Sequence, residues 1–167
     1  MKNLIPPHVL LIGNPYTTIR NLTDILDDEA IAKIRNAVTN EVRLLFNLGQ
    51  DHFVFAKSID HKNWRHKVSR LYYAAYNVRR AVQLQDSGKY STDVSDHKDI
   101  ENLPNTLNQR TVHGGMLKQL RDDRNLADYS HSGQEVDLFA TTRELEVKVE
   151  AFIIDCKDYL KKAGLVI

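Results

Sequence analysis

The sequence contains little cysteine and no long hydrophobic run. Of its 167 residues one is a cysteine, Cys156, which excludes an internal disulfide and leaves no cysteine pattern for a metal site. The longest apolar run near the N-terminus covers residues 9–12, which is too short for the core of a signal peptide or for a membrane span. We therefore expect a cytoplasmic protein that has no membrane as a partner.

The chain also lacks an excess of charge of either sign. Lysine and arginine together number 23, aspartate and glutamate number 22, and the formal net charge is +1. Any affinity for nucleic acid must therefore come from local clusters of positive charge. The seven histidines include no pair four residues apart with a nearby glutamate, as a zinc-binding helix would need. We expect no metal site and no cofactor.

A third pattern that is missing is the alternation of apolar and polar residues that is typical of a half-buried strand. Apolar residues instead recur at helical spacing in four long segments. These segments are predicted to form helices over about residues 28–60, 63–85, 111–128 and 135–162. Together they predict an all-α fold, an up-and-down bundle of four to five principal helices.

The N-terminal residues are interrupted by prolines, at Pro7 and in the pair Asn14-Pro15. We therefore predict an irregular arm over residues 1–22, followed by a single α-helical domain over residues 23–167. A length of 167 residues with 42% hydrophobic residues suits one globular domain that buries a core.

One long segment has no acidic residue. Between His61 and Gln85 there is neither aspartate nor glutamate, although six lysines and arginines fall inside it. Basic side chains interleaved with tyrosines suit contacts with phosphates and bases, which predicts an RNA-binding face. The alternative is a solvated face whose positive charge pairs with acids on a neighbouring helix. The predicted RNA contacts are Arg65, Tyr72, Tyr76, Arg79 and Arg80.

Residues 121–133 hold an unusual density of polar side chains. If the helix continued through them, Arg124 and His131 would share one face and lie roughly 10 Å apart along the helix axis. Such a pair could flank a phosphodiester. The alternative is an ordinary solvated helix end, with Ser130 or Ser132 capping the next helix and Gly133 breaking the chain.

The chemistry of RNA cleavage assigns roles to this pair. Cleavage without a metal needs a base that takes the proton of the ribose 2′-hydroxyl and a cation that stabilises the charge growing on the phosphate. His131 is the candidate base or acid, because histidine titrates nearest to neutral pH. Arg124 is the candidate phosphate clamp, because its guanidinium keeps its proton. Asn125 would orient either of the two.

Four further residues of this stretch are predicted to support the catalytic ones. Asp128 would set the tautomer of His131, and Tyr129 or Ser130 would donate a hydrogen bond to the phosphate. Arg121 is the fourth predicted supporting residue.

Two stretches of the chain resemble the HEPN domain family. Residues 63–82, which include Arg-Leu-Tyr-Tyr-Ala-Ala-Tyr at 70–76, resemble the second helix of that family. The run from Arg124 to His131 looks like its signature, in which an arginine and a polar residue precede a histidine after four to six intervening positions. Here six positions intervene, and Ala-Asp-Tyr at 127–129 resembles one subgroup of the family. The resemblance covers about residues 40–162.

The resemblance implies an up-and-down helical bundle that dimerises and brings two copies of the signature into one cleft. It implies a metal-independent endoribonuclease, a toxin or defence component, with RNA as substrate and a nucleotidyltransferase or an antitoxin as partner. The alternative that it leaves open is a non-catalytic module that binds a nucleotide or a nucleotidyltransferase.

Overall fold

The structure is a computed structural model, and it describes residues 13–90, 97 and 99–167. Over these residues the chain forms five α-helices and no strand, so the predicted all-α fold class is confirmed. The helices are α1 (Pro15–Asn21), α2 (Asp28–Ser58), α3 (Trp64–Ser87), α4 (Arg110–Tyr129) and α5 (Thr142–Lys162).

Helix α3 occupies the centre of the bundle and packs against α2, α4 and α5. The start of α3 lies beside the end of α2, where Arg70 covers the ring of Phe55. Just beyond the other end of α3, Tyr90 reaches back to Glu41 near the middle of α2. Helices α2 and α3 therefore run antiparallel, as neighbours in an up-and-down bundle do.

The close packing of α2 on α3 depends on Gly49. A Cβ atom at this position would lie 2.6 Å from Val78 Cγ2 and 2.8 Å from the carbonyl oxygen of Ala74. Both distances are shorter than real side chains tolerate, so only glycine lets the two helices approach this closely.

The predicted irregular arm is wrong over residues 15–21, which form helix α1. The Asn14 side chain accepts hydrogen bonds from the backbone N–H groups of Tyr16, at 3.0 Å, and of Thr17, at 3.1 Å. Asn14 is therefore the N-cap of α1 and Pro15 is its first residue, so this pair starts a helix and does not mark an irregular segment. The Tyr16 hydroxyl donates to the carbonyl of Gln85 at 2.9 Å and ties α1 to the bundle. Residues 1–12 of the predicted arm lie outside the described residues.

The last helix begins later than predicted, at Thr142 instead of near residue 135. Thr141 and Glu144 form a reciprocal capping box that sets this start, in which the Thr141 N–H donates to the Glu144 carboxylate at 2.9 Å. Residues Glu135–Asp137 form only a short 3₁₀ turn. None of the helices in the described ranges combines the length and the apolar character needed to cross a lipid bilayer.

Lys67 is buried in α3 and closes the C-terminal end of α2. Its Nζ donates to the carbonyls of Ala56 and Ile59, both at 3.1 Å, and lies 2.6 Å from the Glu146 carboxylate of α5. The last carbonyls of a helix have no partner within that helix, so a buried ammonium group satisfies them and joins three helices.

Replacing Lys67 by alanine should lower the free energy of unfolding by about 3 kcal/mol, because the carbonyls and Glu146 would lose their buried partner. The matched control is Lys62→Ala, since Lys62 is exposed at the start of the same basic segment. The control should change stability by no more than about 0.5 kcal/mol. Urea unfolding monitored by circular dichroism measures both values, and equal values would contradict this role of Lys67.

Candidate active site

Helix α4 ends at Tyr129, and this end separates the two predicted catalytic residues. Ser130 is already extended, with φ −90° and ψ 109°, and its N–H donates to the carbonyl of Leu126 at 3.1 Å. The helix therefore does not run through to His131, and the prediction of a shared helix face for Arg124 and His131 is wrong. A cap residue that leaves the helical conformation turns the following side chains away from the helix axis.

The segment after α4 is fixed at three points. The buried Asp123 carboxylate accepts from the Phe139 N–H at 3.0 Å, and burial raises the pKa of this carboxyl group. The Ser130 hydroxyl oxygen accepts from the Gly133 N–H at 3.0 Å, and Arg65 donates to the Gly133 carbonyl at 2.6 Å. His131 is exposed on this anchored segment, and within the described residues it has no hydrogen bond or ion pair.

Arg124 is held by polar contacts on every nitrogen of its guanidinium. Its Nη2 donates to the Tyr73 hydroxyl at 2.9 Å, and its Nε lies 2.8 Å from the Asp128 carboxylate one turn further along α4. Its Nη1 donates to the Asn125 side-chain oxygen at 3.2 Å. The side chain is 17% exposed, so the cation is fixed in place and still accessible to a ligand.

Three tyrosine rings surround the same guanidinium. Its Cζ lies 5.5 Å from the ring centre of Tyr72, 5.6 Å from that of Tyr73 and 5.2 Å from that of Tyr129. Cations at these distances are attracted by the aromatic faces. Tyr129 is exposed, so one wall of this aromatic surround faces solvent.

The structure revises the supporting roles predicted for this stretch. Asp128 pairs with Arg124 and has no contact with His131 in the described part of the chain, so it does not set the histidine tautomer there. The Ser130 hydroxyl oxygen accepts from the Gly133 N–H, which leaves its own O–H for the predicted donation to a phosphate. Asn125 accepts a hydrogen bond from Arg124, and its role in orienting Arg124 or His131 during catalysis stays a prediction.

Arg121 contributes to the same region through its charge. Its Nε and Nη2 both lie 3.0 Å from the Asp122 carboxylate, and its charge, like that of Arg124, opposes the rise that burial causes in the pKa of Tyr72. Burial is the larger effect and raises the pKa of this phenol well above its usual range.

Two histidines that the sequence did not single out lie among the tyrosines. The ring of His97 stacks on Tyr76 with 4.4 Å between ring centres, and its Nδ1 forms a short hydrogen bond with the Tyr72 hydroxyl. The ring centre of His52, on α2, lies 5.9 Å from that of Tyr73. We call the group formed by Arg124, Tyr72, Tyr73, Tyr129, His52 and His97 the Arg124 cluster.

Tyr73 is the most consequential residue that sequence reasoning missed. It belongs to the Arg-Leu-Tyr-Tyr-Ala-Ala-Tyr run at 70–76, but only Tyr72 and Tyr76 of that run were predicted as RNA contacts. Adjacent residues on a helix point about 100° apart, so Tyr73 faces away from Tyr72, and here it contacts both His52 and Arg124. His52 has no comparable signal in the sequence around it.

The predicted RNA-binding tyrosines lie inside the bundle. Tyr72 and Tyr76 are both buried, so they cannot stack on bases in this structure. Arg79 is buried as well, and its Nη2 donates to the carbonyl of Asp99. The reason is the central position of α3, which is covered by helices on several sides and has no broad solvated face.

The remaining predicted RNA contacts are also engaged within the protein. Arg65 stacks on Trp64 and donates to the carbonyls of Leu126, at 3.3 Å, and Ala127, at 2.7 Å. It thereby satisfies the C-terminal end of α4 in the way that Lys67 satisfies α2. Arg80 lies over the rings of Tyr76 and Tyr90, at 5.5 and 5.1 Å from their centres. In the described part of the chain, the basic segment thus contacts carbonyls through Arg65 and Lys67, aromatic rings through Arg80, and one acid, Glu146, through Lys67.

Among the residues with described positions, no three histidine, cysteine, aspartate or glutamate side chains come close enough together to hold a metal ion. Comparisons of the chain with models of protein families, with curated proteins and with solved structures find no match.

The titration of His52 tests the electrostatics of the Arg124 cluster. Burial, and after it the charge of Arg70, lowers the pKa of His52 below its ordinary 6.5, while Asp51 acts in the opposite direction. Arg70→Gln should therefore raise this pKa towards 6.5, because a positive neighbour disfavours the protonated ring. Arg35→Gln, at an exposed position of α2, is the control and should leave it unchanged. Nuclear magnetic resonance titration of the imidazole measures both, and an unchanged pKa in Arg70→Gln would contradict this account.

Proposed function

We propose that this chain is a metal-independent endoribonuclease of the HEPN type, a cytoplasmic toxin or defence component that cleaves RNA by attack of the ribose 2′-hydroxyl. The observation that carries the proposal is the fixed and partly exposed guanidinium of Arg124. Tyr73, Asn125 and Asp128 hold it, and tyrosine rings surround it. A preorganised cation of this kind suits the charge that develops on a phosphate in the transition state.

Arg124 retains donors for a phosphate after its contacts within the protein are made. A guanidinium has five N–H groups, of which two lie on each terminal nitrogen. In the described residues Nη1 and Nη2 each use one N–H, on Asn125 and on Tyr73. One N–H therefore remains on each terminal nitrogen, and guanidinium N–H groups donate strong hydrogen bonds to phosphate oxygens.

The reaction also needs proton transfer at two oxygens. A base removes the proton of the 2′-hydroxyl, the 2′-oxygen attacks phosphorus, and the bond from phosphorus to the 5′-oxygen breaks. An acid then protonates the 5′-oxygen, which leaves a 2′,3′-cyclic phosphate and a 5′-hydroxyl. His131 is the proposed base or acid. A homodimer with the 121–133 segments facing each other would supply two such histidines, one for each step.

His52 offers a second imidazole in the same protomer. It contacts Tyr73, whose hydroxyl accepts a hydrogen bond from Arg124, and its lowered pKa keeps the ring largely neutral at neutral pH. A neutral imidazole can accept a proton, so His52 competes with His131 for the role of base. Substitutions at the two positions distinguish them.

Arg124→Ala and His131→Ala should each lower RNA cleavage by about 100-fold or more, as expected when phosphate stabilisation or acid–base catalysis is lost. The double substitution should be little worse than either single one, because both residues act in one transition state. The matched control is Arg35→Ala, at an exposed position of α2, which should keep wild-type activity. Gel analysis of end-labelled RNA measures the rates, and circular dichroism checks that each variant folds.

The same assay contains the outcomes that reject the mechanism. RNA with 2′-deoxyribose should bind and remain uncut, chelator should have no effect, and the upstream product should end in a 2′,3′-cyclic phosphate. Inhibition by chelator would reject metal-independent cleavage. Cleavage that survives His131→Ala but not His52→Ala would assign the base to His52 instead.

A non-catalytic HEPN module is the second candidate, and one observation favours it. Arg124 is paired with Asp128 on its own helix, and in the described part of the chain no contact joins it to His131. In this case the cluster would hold a nucleotide or dock a nucleotidyltransferase or antitoxin partner. Expression in a bacterial host separates the two candidates. Growth arrest that His131→Ala relieves supports the ribonuclease, whereas harmless expression with no cleavage of any RNA supports the module.

A further inference from the structure

Tyr129 presents an aromatic ring to solvent at the edge of the Arg124 cluster. It is the last residue of α4, and it is 72% exposed. The other two tyrosines around the same guanidinium are less accessible, since Tyr72 is buried and Tyr73 is partly buried against the core. Of the three rings, that of Tyr129 is therefore the one that an incoming molecule meets first.

One face of the Tyr129 ring is covered by Arg124. The guanidinium Cζ lies 5.2 Å from the ring centre, a distance at which a cation is attracted to the aromatic face. Over the described ranges the Tyr129 side chain has no hydrogen bond, and its ring contacts no second cation and no other aromatic ring. Its exposed area therefore includes the ring face that is turned away from Arg124.

The position of this ring is set by groups that are themselves fixed. Arg124, beneath the ring, is held by the Tyr73 hydroxyl at 2.9 Å and by the Asp128 carboxylate at 2.8 Å. Tyr129 lies in the last turn of α4, and Arg65 binds the carbonyls of that turn. A surface that is ordered before its ligand arrives loses less conformational entropy on binding.

A flat aromatic face in contact with a phosphate-binding cation matches the two parts of a nucleotide. Nucleobases stack on tyrosine rings, and the stacking tolerates any base because every base has a π face. Guanidinium N–H groups donate to phosphate oxygens, and Arg124 keeps one N–H on each terminal nitrogen beside its bonds to Asn125 and Tyr73. Because a base and its phosphate belong to one nucleotide, a ring and a cation in contact can bind them together.

We propose that the outer face of the Tyr129 ring is the stacking platform for the nucleobase next to the phosphate that Arg124 binds. This role belongs to the ring, whereas the sequence predicted a hydrogen bond from its hydroxyl to the phosphate. A base that stacks on the platform has to leave its neighbours in a double helix, so the platform binds an unpaired nucleotide. The inference rests on the proposed function and names a residue that positions its substrate.

Binding is measured apart from cleavage with a fluorescent single strand of mixed sequence that carries 2′-deoxyribose and so lacks the attacking hydroxyl. Tyr129→Ala should raise the Kd of this strand by about 10-fold or more, because the stacking surface is lost. Tyr129→Phe keeps the ring without the hydroxyl and should stay within about 2-fold of the wild-type Kd. Fluorescence anisotropy measures these values, and circular dichroism checks that both variants fold.

Phe139→Ala is the matched control for the loss of an exposed aromatic ring. Phe139 is 66% exposed on the segment after α4, and its N–H binds Asp123, which lies about 120° around α4 from Tyr129. Its removal should leave the Kd unchanged. A nuclear magnetic resonance spectrum adds a direct readout, because the ring current of a stacked base shifts the ring protons of Tyr129. The single strand should cause this shift, and a duplex of the same sequence should not.

The outcomes separate this inference from the ribonuclease. Weaker binding by Tyr129→Ala, with Tyr129→Phe and Phe139→Ala close to wild type, supports the platform even if no RNA is cleaved, which would reject only the proposed activity. Equal losses in Tyr129→Phe and Tyr129→Ala would assign the role to the hydroxyl and overturn the inference. Wild-type affinity in Tyr129→Ala would also overturn it, and cleavage by the wild-type chain would then still support the ribonuclease.

Discussion

The backbone carbonyls at the C-terminal ends of α2 and α4 determine how the bundle is joined. These groups have no partner within their own helices, and burying them without one would be costly. Helix α3 supplies both donors, Lys67 for the end of α2 and Arg65 for the end of α4. One basic segment therefore fixes two helix ends on either side of itself. Arg65 also binds Gly133, so the same interaction positions the segment that carries His131.

This use of positive charge explains which parts of the sequence were informative. Helical spacing predicted the long helices α2, α3 and α4 closely, because apolar periodicity reports directly on the buried face of a helix. The absence of acidic residues between positions 61 and 85 was equally clear, but it did not show which acceptors the basic side chains bind. A cationic side chain can donate to a backbone carbonyl as well as to a phosphate, and every residue carries a carbonyl, so the sequence does not show which acceptor is used. The RNA-binding interpretation therefore overestimated how many of these side chains reach solvent.

The residues of the candidate site also fall into those that the sequence could predict and those that it could not. Arg124 and Asn125 could be found from the sequence because they are neighbours on one helix, and local spacing fixes their relation. Tyr73 and His52 could not, since they join the Arg124 cluster from two other helices and their positions depend on packing. His131 lies between these cases. Its distance from Arg124 along the chain is short, but the end of α4 at Tyr129 removes the geometric relation that a continuous helix would have imposed.

The contacts of Arg124 bear on what a ligand must provide. Asp128 already offsets part of its charge, so an approaching anion gains less from simple attraction than it would at an isolated arginine. The remaining selectivity comes from geometry, because Tyr73 and Asn125 fix the plane of the guanidinium and leave one N–H on each terminal nitrogen. The phosphodiester of the proposed function would offer oxygen acceptors to these donors. In the proposed ribonuclease Tyr73 would therefore hold Arg124 in the orientation that receives the phosphate, and it does so from α3, the helix that also supplies Arg65 and Lys67 to the ends of α4 and α2.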